Sequence, residues 1–305
     1  MRSSPTTPLE HRLAEIGMAH AERGAVAEVV PTRPDVLIVR VGTIVVKAHA
    51  PGMEAALLRP RVTASASARL GGVMLPPAAT TVETVDGRLV TVWPAGRPVD
   101  PADPDAAPWE DAARLLAALH AVPASALPPL PAAGGPGRVA QMVARLTGDD
   151  LEERAVRAAA ASLPPPARVP AGLTHGDWHM GQLVRHPPDG GAWVLIDVDD
   201  LGLGDQAWDL ARPAAWFACG LLAPQIWHRF LAAYLEAGGP ALAGLADPWE
   251  RLDGPARALT VQLAAAAVAT ARREGRPVDE VEEMLLDACH RIAGIDPRPR
   301  QVRTQ

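Results

Sequence analysis

Two acidic motifs sit close together in the second half of the chain: Thr174-His175-Gly176-Asp177-Trp178-His179-Met180-Gly181-Gln182 and Trp193-Val194-Leu195-Ile196-Asp197-Val198-Asp199-Asp200. In the second, an apolar run ending in an aspartate reads as a strand that holds a carboxylate at its mouth. Far upstream stands Lys47; of the 29 basic residues it is the one that is not arginine. Codon bias accounts for the arginines, so the surviving lysine marks a position that calls for an ammonium rather than a guanidinium. Phosphoryl transfer asks for this trio. It needs a positioned hydroxyl, metal ions bridging the phosphates, and a cation on the remaining oxygens; Asp177, Asp197 and Lys47 could supply these in turn. A rival reading takes His175, Asp177 and His179 as metal ligands of a hydrolase, with Asp197 as a fourth. Gly176 and Gly181 argue for a loop instead, and that reading leaves Lys47 without a task.

The elements that must position these residues fall into two groups. Leu9 to Arg23 has helical spacing. Three β-branched runs follow, Val26–Val30, Val36–Val41 and Ile44–Lys47, with turn residues between them that predict an antiparallel meander. A helix from Glu54 to Leu70, broken or kinked at Pro60, and strands at Val73–Leu75, Thr81–Val85 and Leu89–Trp93 complete a small sheet-and-helix unit to about residue 93. Pro94-Ala95-Gly96-Arg97-Pro98 is a hinge-like linker. Residues 99–305 read as mostly helical, with helices at Trp109–Ala121, Arg138–Ala161, Pro224–Ala237, Pro255–Arg273 and Val278–Ile292. The break from helix at Gly172–Gly204 carries both acidic motifs. The expected fold class is α+β, two-lobed, with a small antiparallel-sheet N-lobe and a larger helical C-lobe.

Composition narrows the partners. A net charge of −6 with no basic stripe argues against nucleic acid. Cys219 and Cys289 are too few and too far apart for a metal site or a disulfide framework. Met1–Arg12 has no apolar core of a signal peptide, and the most apolar stretch, Leu259–Ala271, is too short to span a bilayer. A cytoplasmic protein without membrane or nucleic-acid partners is expected.

The order Lys, linker, His-Gly-Asp-x-His-x-Gly-Gln, then Ile-Asp-x-Asp resembles the aminoglycoside phosphotransferase and choline kinase-like family, whose fold is protein-kinase-like. The stretch Leu203-Gly204-Asp205-Gln206-Ala207-Trp208-Asp209-Leu210-Ala211 extends the resemblance, as does the Leu-x-x-Leu-His ending at His120. The resemblance implies Asp177 as catalytic base, Lys47 on the α/β-phosphates of ATP or GTP, and Asp197 with Gln182 on Mg²⁺. It also implies that the segment from Val92 and Trp93 to Ala95 offers backbone groups to the nucleotide base. A kinase-like lobe pairs its lysine with a helix glutamate; Glu54 is the candidate here, with Asp197 alone as the alternative. Two departures stand out. Gln182 occupies the place of the family's usual Asn, and the nucleotide loop Pro31–Asp35 lacks glycine.

The Gln182 form of the loop, with Ile196 to Asp205, most resembles the branch acting on cyclic-peptide antibiotics such as viomycin and capreomycin. The expected acceptor is therefore a hydroxyl of a cationic antibiotic, of cyclic-peptide or aminoglycoside type, conferring resistance. Glu236, Asp247, Glu250, Asp253, Glu280, Glu282 and Glu283 are available to receive it. The alternatives are a kinase of another metabolite and a degenerate nucleotide-binding sensor. His175, Asp205 and Asp209 are expected to brace loops and cap helices, Asp199 and Asp200 to be solvated turn residues, and Trp178 is a candidate wall of the acceptor pocket.

Overall fold

The computed structural model describes residues 3–33, 35–103 and 106–294. Pro34 of the glycine-free loop and the stretch 295–305 of the expected helical lobe lie outside them. Helix α1 (Pro8–His20) opens on a capping box: the Thr7 hydroxyl accepts from the Glu10 N–H and the Glu10 carboxylate from the Thr7 N–H. Pro8 fills the first position, where no N–H is needed. The β-branched runs form β1 (Ala27–Val30), β2 (Leu37–Val41) and β3 (Ile44–Ala48). After α2 (Ala55–Ser65) come β4 (Ala79–Val85) and β5 (Arg88–Pro94), giving a five-stranded antiparallel sheet in the order β1-β2-β3-β5-β4. Asp86 and Gly87 join β4 to β5 with positive φ at both residues, the two-residue turn whose twist matches the flanking strands.

Each face of the sheet is covered. Leu13 and Ala14 of α1 pack on Val39, Val41, Val46 and Val92. Leu58 and Val62 of α2 meet Val82 and Leu89 on the other side, in a core that continues without interruption into the helical lobe. Helix α2 runs through Pro60 rather than breaking there. The carbonyl deprived of its partner belongs to Ala56, which is exposed and can be hydrated. Val73–Leu75 does not join the small sheet as expected. Leu75 N–H donates to Leu195 O and Leu195 N–H to Val73 O, both at 2.8 Å, so this segment stitches the two lobes together.

The larger lobe follows β6 (Arg97–Pro98) with α3 (Trp109–His120), α4 (Gly137–Ala144) and α5 (Leu151–Ala161). The single helix expected over 138–161 is divided at Gly148-Asp149-Asp150, where Asp150 caps α5 by accepting from Glu153 N–H. Strands β7 (Gly172–Thr174), β8 (Leu183–His186), β9 (Ala192–Leu195) and β10 (Gly202–Gly204) come next, then α6 (Ala211–Ala218), α7 (Pro224–Glu236), α8 (Trp249–Glu274) and α9 (Glu280–Ile292). β7 pairs with β10, and β8 with β9 and β6. These two ribbons bring the loops 175–182 and 196–201 side by side, facing the small sheet. The architecture is two-lobed α+β, that of the protein-kinase-like fold. No helix among the described residues is long and apolar enough to cross a membrane.

Candidate active site

The loop after β7 is held from behind. The buried carboxylate of Asp209 accepts from the backbone N–H groups of His175 (2.6 Å) and Gly176 (2.8 Å). It also faces His120 Nε2 at 3.0 Å, and the other ring nitrogen of His120 meets the Tyr234 hydroxyl at 2.8 Å. The His175 ring donates from Nε2 to Ile196 O at 2.8 Å, tying the first acidic motif to the second. Gly176 has φ +83°, and a Cβ there would lie 2.3 Å from Asp200 O; only glycine fits so close an approach. His175 and Asp209 thus brace the loop, as the sequence implies.

Asp177 projects from this loop between two arginines. Its Oδ1 lies 3.0 Å from Arg138 Nη2 and 3.3 Å from Arg212 Nη2. Arg138, at the start of α4, also donates to Asp200 Oδ2 (2.5 Å) and to Gly176 O (3.0 Å). Neither arginine was singled out from the sequence. Arg212 immediately follows the Asp209-Leu210-Ala211 stretch, which is a signal of sorts; Arg138 is one arginine among many.

Asp197 follows β9 in a left-handed conformation, φ +69°, which Asp tolerates better than most residues. Its Oδ1 accepts from Asp199 N–H at 3.0 Å and from Lys47 Nζ at 2.8 Å. Burial alone would raise the Asp197 pKa, but the Lys47 ammonium and the Asp199 N–H outweigh it and hold the carboxylate far below its ordinary range. Burial likewise works against the Lys47 charge, and the Coulombic pull of Asp197 and Asp199 reverses it, so the lysine pKa is raised. Asp199 lies 2.9 Å from Lys47 Nζ and 2.7 Å from His49 Nδ1, with a side chain 6% exposed. It is not the solvated turn residue expected from sequence; Asp200, paired with Arg138, is not one either.

Lys47, Trp93, Ala95, Gln182 and Asp197 all line one cavity of about 410 Å³ between the sheet and the larger lobe. Val30, Ile38 and Val45 roof it, and Val184 and Ile196 form its floor. The result is an apolar slot with a charged end. Three expectations need correction. Glu54 is exposed ahead of the first turn of α2, and Lys47 pairs with Asp197 and Asp199 instead. Val92 does not line the cavity; it is buried against α1, and its carbonyl accepts from Ala78 N–H. The Ala95 N–H donates to Thr43 O and its carbonyl accepts from the His186 ring, so its polar backbone groups are already engaged.

Trp178, offered as an acceptor-pocket wall, is instead 3% exposed and stacked on Phe230 at 5.4 Å. His175, Asp177 and His179 do not converge, since each faces a different partner: Ile196 O, the two arginines, and the Gly181 N–H. Among the described residues no three His, Cys, Asp or Glu side chains gather as a metal cluster. The oxygen donors Asp197 and Gln182 do fit a hard cation. Mg²⁺ takes one or two protein ligands and completes its shell with water and phosphate oxygens. The Gln182 side chain borders the cavity with no hydrogen-bond partner among the described residues.

His179 sits at the cavity edge. Burial, reinforced by the positive charge of Arg212, lowers its pKa to about 4. The ring is therefore neutral at neutral pH. Since the folded value lies below the ordinary one, near 6.5, its contribution to stability is complete above that pH and is lost as pH falls towards 4. Imidazole nitrogen resonances followed against pH should show a midpoint near 4 for His179; a midpoint near 6.5 would mean the ring is solvated and free of Arg212.

Residues 37–254 match the model of the phosphotransferase enzyme family, which covers most of the chain and includes Lys47, both acidic motifs and Asp209. The chain belongs to this family. Solved structures share its fold across nearly the whole length. A choline/ethanolamine kinase family protein from Mesorhizobium loti is 19% identical, with 94% of this chain and 92% of that one aligned at TM-score 0.58. A thermostable mutant of aminoglycoside phosphotransferase APH(4)-Ia, in ternary complex with AMP-PNP and hygromycin B, is 14% identical, with 94% and 98% aligned at 0.60. LicA in complex with AMP is also 14% identical, with 95% and 99% aligned at 0.59. At such identities the likeness is one of fold. No curated protein matches the sequence.

Proposed function

We propose that this phosphotransferase-family protein moves the terminal phosphate of ATP or GTP to a hydroxyl of a small molecule. The observation that carries the reading is the convergence of Lys47, Asp197 and the free Gln182 amide on one inter-lobe cavity, with Asp177 on the neighbouring loop. The apolar slot takes the nucleotide base and ribose. At the hinge, Ala95 N–H bonds Thr43 O, so in this antiparallel ladder the Pro94 carbonyl turns away from β3. That carbonyl and the Gly96 N–H are the backbone groups left to read the base.

Asp197 and Gln182 would hold Mg²⁺, which would supply positive charge against the phosphates. Lys47 presents its ammonium to the phosphates, and Asp177 orients the acceptor hydroxyl and receives its proton. Because the transition state is loose, positioning and electrostatics contribute more than proton abstraction. Lys47→Arg should reduce kcat/KM roughly tenfold or more, since a planar fork cannot occupy the point between Asp197 and Asp199. Steady-state kinetics matching the parent protein would refute this.

The finer proposal is a cationic antibiotic as acceptor, of cyclic-peptide or aminoglycoside type. Its support is the Gln182 loop and the exposed carboxylates of Glu236, Glu250, Glu280 and Glu283. Asp253 and Glu282 are already paired with Arg257 and Arg276. The test is mass spectrometry of capreomycin, viomycin, aminoglycosides, choline and simple sugars incubated with the protein, Mg²⁺ and ATP or GTP. A single class gaining one phosphate would identify the acceptor. Nucleotide binding without any product would favour the sensor reading.

A further inference from the structure

Burying an ammonium requires a fixed counter-charge, because an unpaired charge at low dielectric costs several kcal/mol. Lys47 has two carboxylates at equal range, Asp197 at 2.8 Å and Asp199 at 2.9 Å. In the reading above, Asp197 is committed to the metal once nucleotide arrives. Asp199 is then the carboxylate left to hold the lysine. We propose that Asp199, set in place by His49, is the positioning residue for Lys47, in the role expected of a helix glutamate. The inference rests on the phosphotransferase reading and names the device that aims its lysine.

The geometry around Asp199 is that of a built support. Lys47 lies on β3 and His49 follows directly after its end, where the His49 N–H still donates to Leu89 O. Two residues apart in extended chain, they share the face that looks towards the larger lobe. His49 is fully buried, and its Nδ1 lies 2.7 Å from Asp199 Oδ1. Its Nε2 meets Thr91 Oγ1 at 2.8 Å, and Thr91 lies directly across the ladder from Lys47. The Trp93 indole N–H donates to the same Thr91 oxygen at 2.8 Å. With that donor bound, the Thr91 hydroxyl proton is free to point at His49 Nε2. The His49 proton then sits on Nδ1 and points at the carboxylate. A continuous line of hydrogen bonds thus runs from Trp93, in the wall of the base slot, to the carboxylate beside the lysine.

The backbone of Asp199 is held as well. Arg61 of α2 donates to the carbonyls of Asp199 and Leu201, and the Asp199 N–H donates to Asp197 Oδ1. Helix α2 therefore contributes through Arg61, which grips the loop, while Glu54 points into solvent. Arg33, 3.6 Å from Asp199 Oδ2, is half exposed and adds a weak, screened attraction.

The test compares Asp199→Asn, His49→Gln and Glu54→Gln by calorimetric binding of two probes, AMP-PNP with Mg²⁺ and adenosine. Adenosine needs only the slot; AMP-PNP also needs the lysine. Asp199→Asn should weaken AMP-PNP on the order of tenfold to a hundredfold and leave adenosine within about twofold. His49→Gln should shift AMP-PNP in the same sense by several-fold, and Glu54→Gln should change neither. Equal losses for both probes would reduce Asp199 to a structural role, and a loss confined to Glu54→Gln would restore the helix glutamate. Either result overturns the proposal while leaving the phosphotransferase reading intact. An unsubstituted protein that binds neither probe would overturn both. If Asp199→Asn fails to fold, unchanged AMP-PNP affinity in His49→Gln suffices to refute the relay.

Discussion

Asp177→Asn is expected to lower kcat by about 10²–10⁴-fold while nucleotide affinity stays within a few-fold. Asp177 is not among the residues lining the inter-lobe cavity proposed to take the nucleotide, so its carboxylate has no direct part in that binding. In the proposed reaction, what the substitution removes is an acceptor for the hydroxyl proton and a negative charge that orients that hydroxyl. Asn preserves the shape and one oxygen towards Arg138 and Arg212, and Arg138 keeps its second partner, Asp200. The fold should therefore survive, which makes Asn a cleaner probe than Ala. Steady-state kinetics on the acceptor identified by mass spectrometry, with parallel nucleotide calorimetry, separates the two effects. A change confined to KM would show that Asp177 binds substrate without acting in the transition state.

The largest stability effect belongs to a residue that touches no substrate. Asp209 is 1% exposed and serves two backbone N–H groups and one imidazole. Asp209→Ala strands these donors in the core. Each buried donor left unmet costs about 1–3 kcal/mol, so a loss of about 3–5 kcal/mol is expected from denaturant unfolding, a large part of the 5–15 kcal/mol, roughly, that holds a domain together. Asp209→Asn should rescue little. It keeps one acceptor oxygen but turns an NH₂ towards groups that are themselves donors. Because those donors lie at His175 and Gly176, the loop that carries Asp177 should loosen first, with activity falling at temperatures where far-UV circular dichroism is still native. A midpoint within about 0.5 kcal/mol of the parent protein would show that Asp209 is not the brace described here.

Much of the site was legible because its signals are local. His-Gly-Asp, the apolar run into Asp197 and the lone Lys47 are chemistry-bearing residues at short spacing or in isolation, and Lys47, Gln182 and Asp197 line one cavity. The lobe division was legible for a similar reason, since the β-branched meander, the Pro-Gly hinge and the helical periodicity are each read within a few residues. Glu54 fails as the partner of Lys47 because proximity in sequence was its only support. Its side chain faces solvent before α2 begins, while a residue 152 positions beyond Lys47 supplies the carboxylate.

The sequence by itself therefore determined the composition of each motif, the order of the lobes and the chemistry proposed for Asp177, Asp197 and Lys47. Tertiary structure alone decided which groups share a hydrogen bond. It brought Arg138 and Arg212 to Asp177, His49 to Asp199, Asp209 behind the catalytic loop, and Val73–Leu75 onto the far lobe rather than the near sheet. The physical reason is that periodicity and turn chemistry act over a turn or a strand pair. The partner of a buried charge is set instead by whichever distant segment the packing of the two lobes delivers, and no local pattern records that choice.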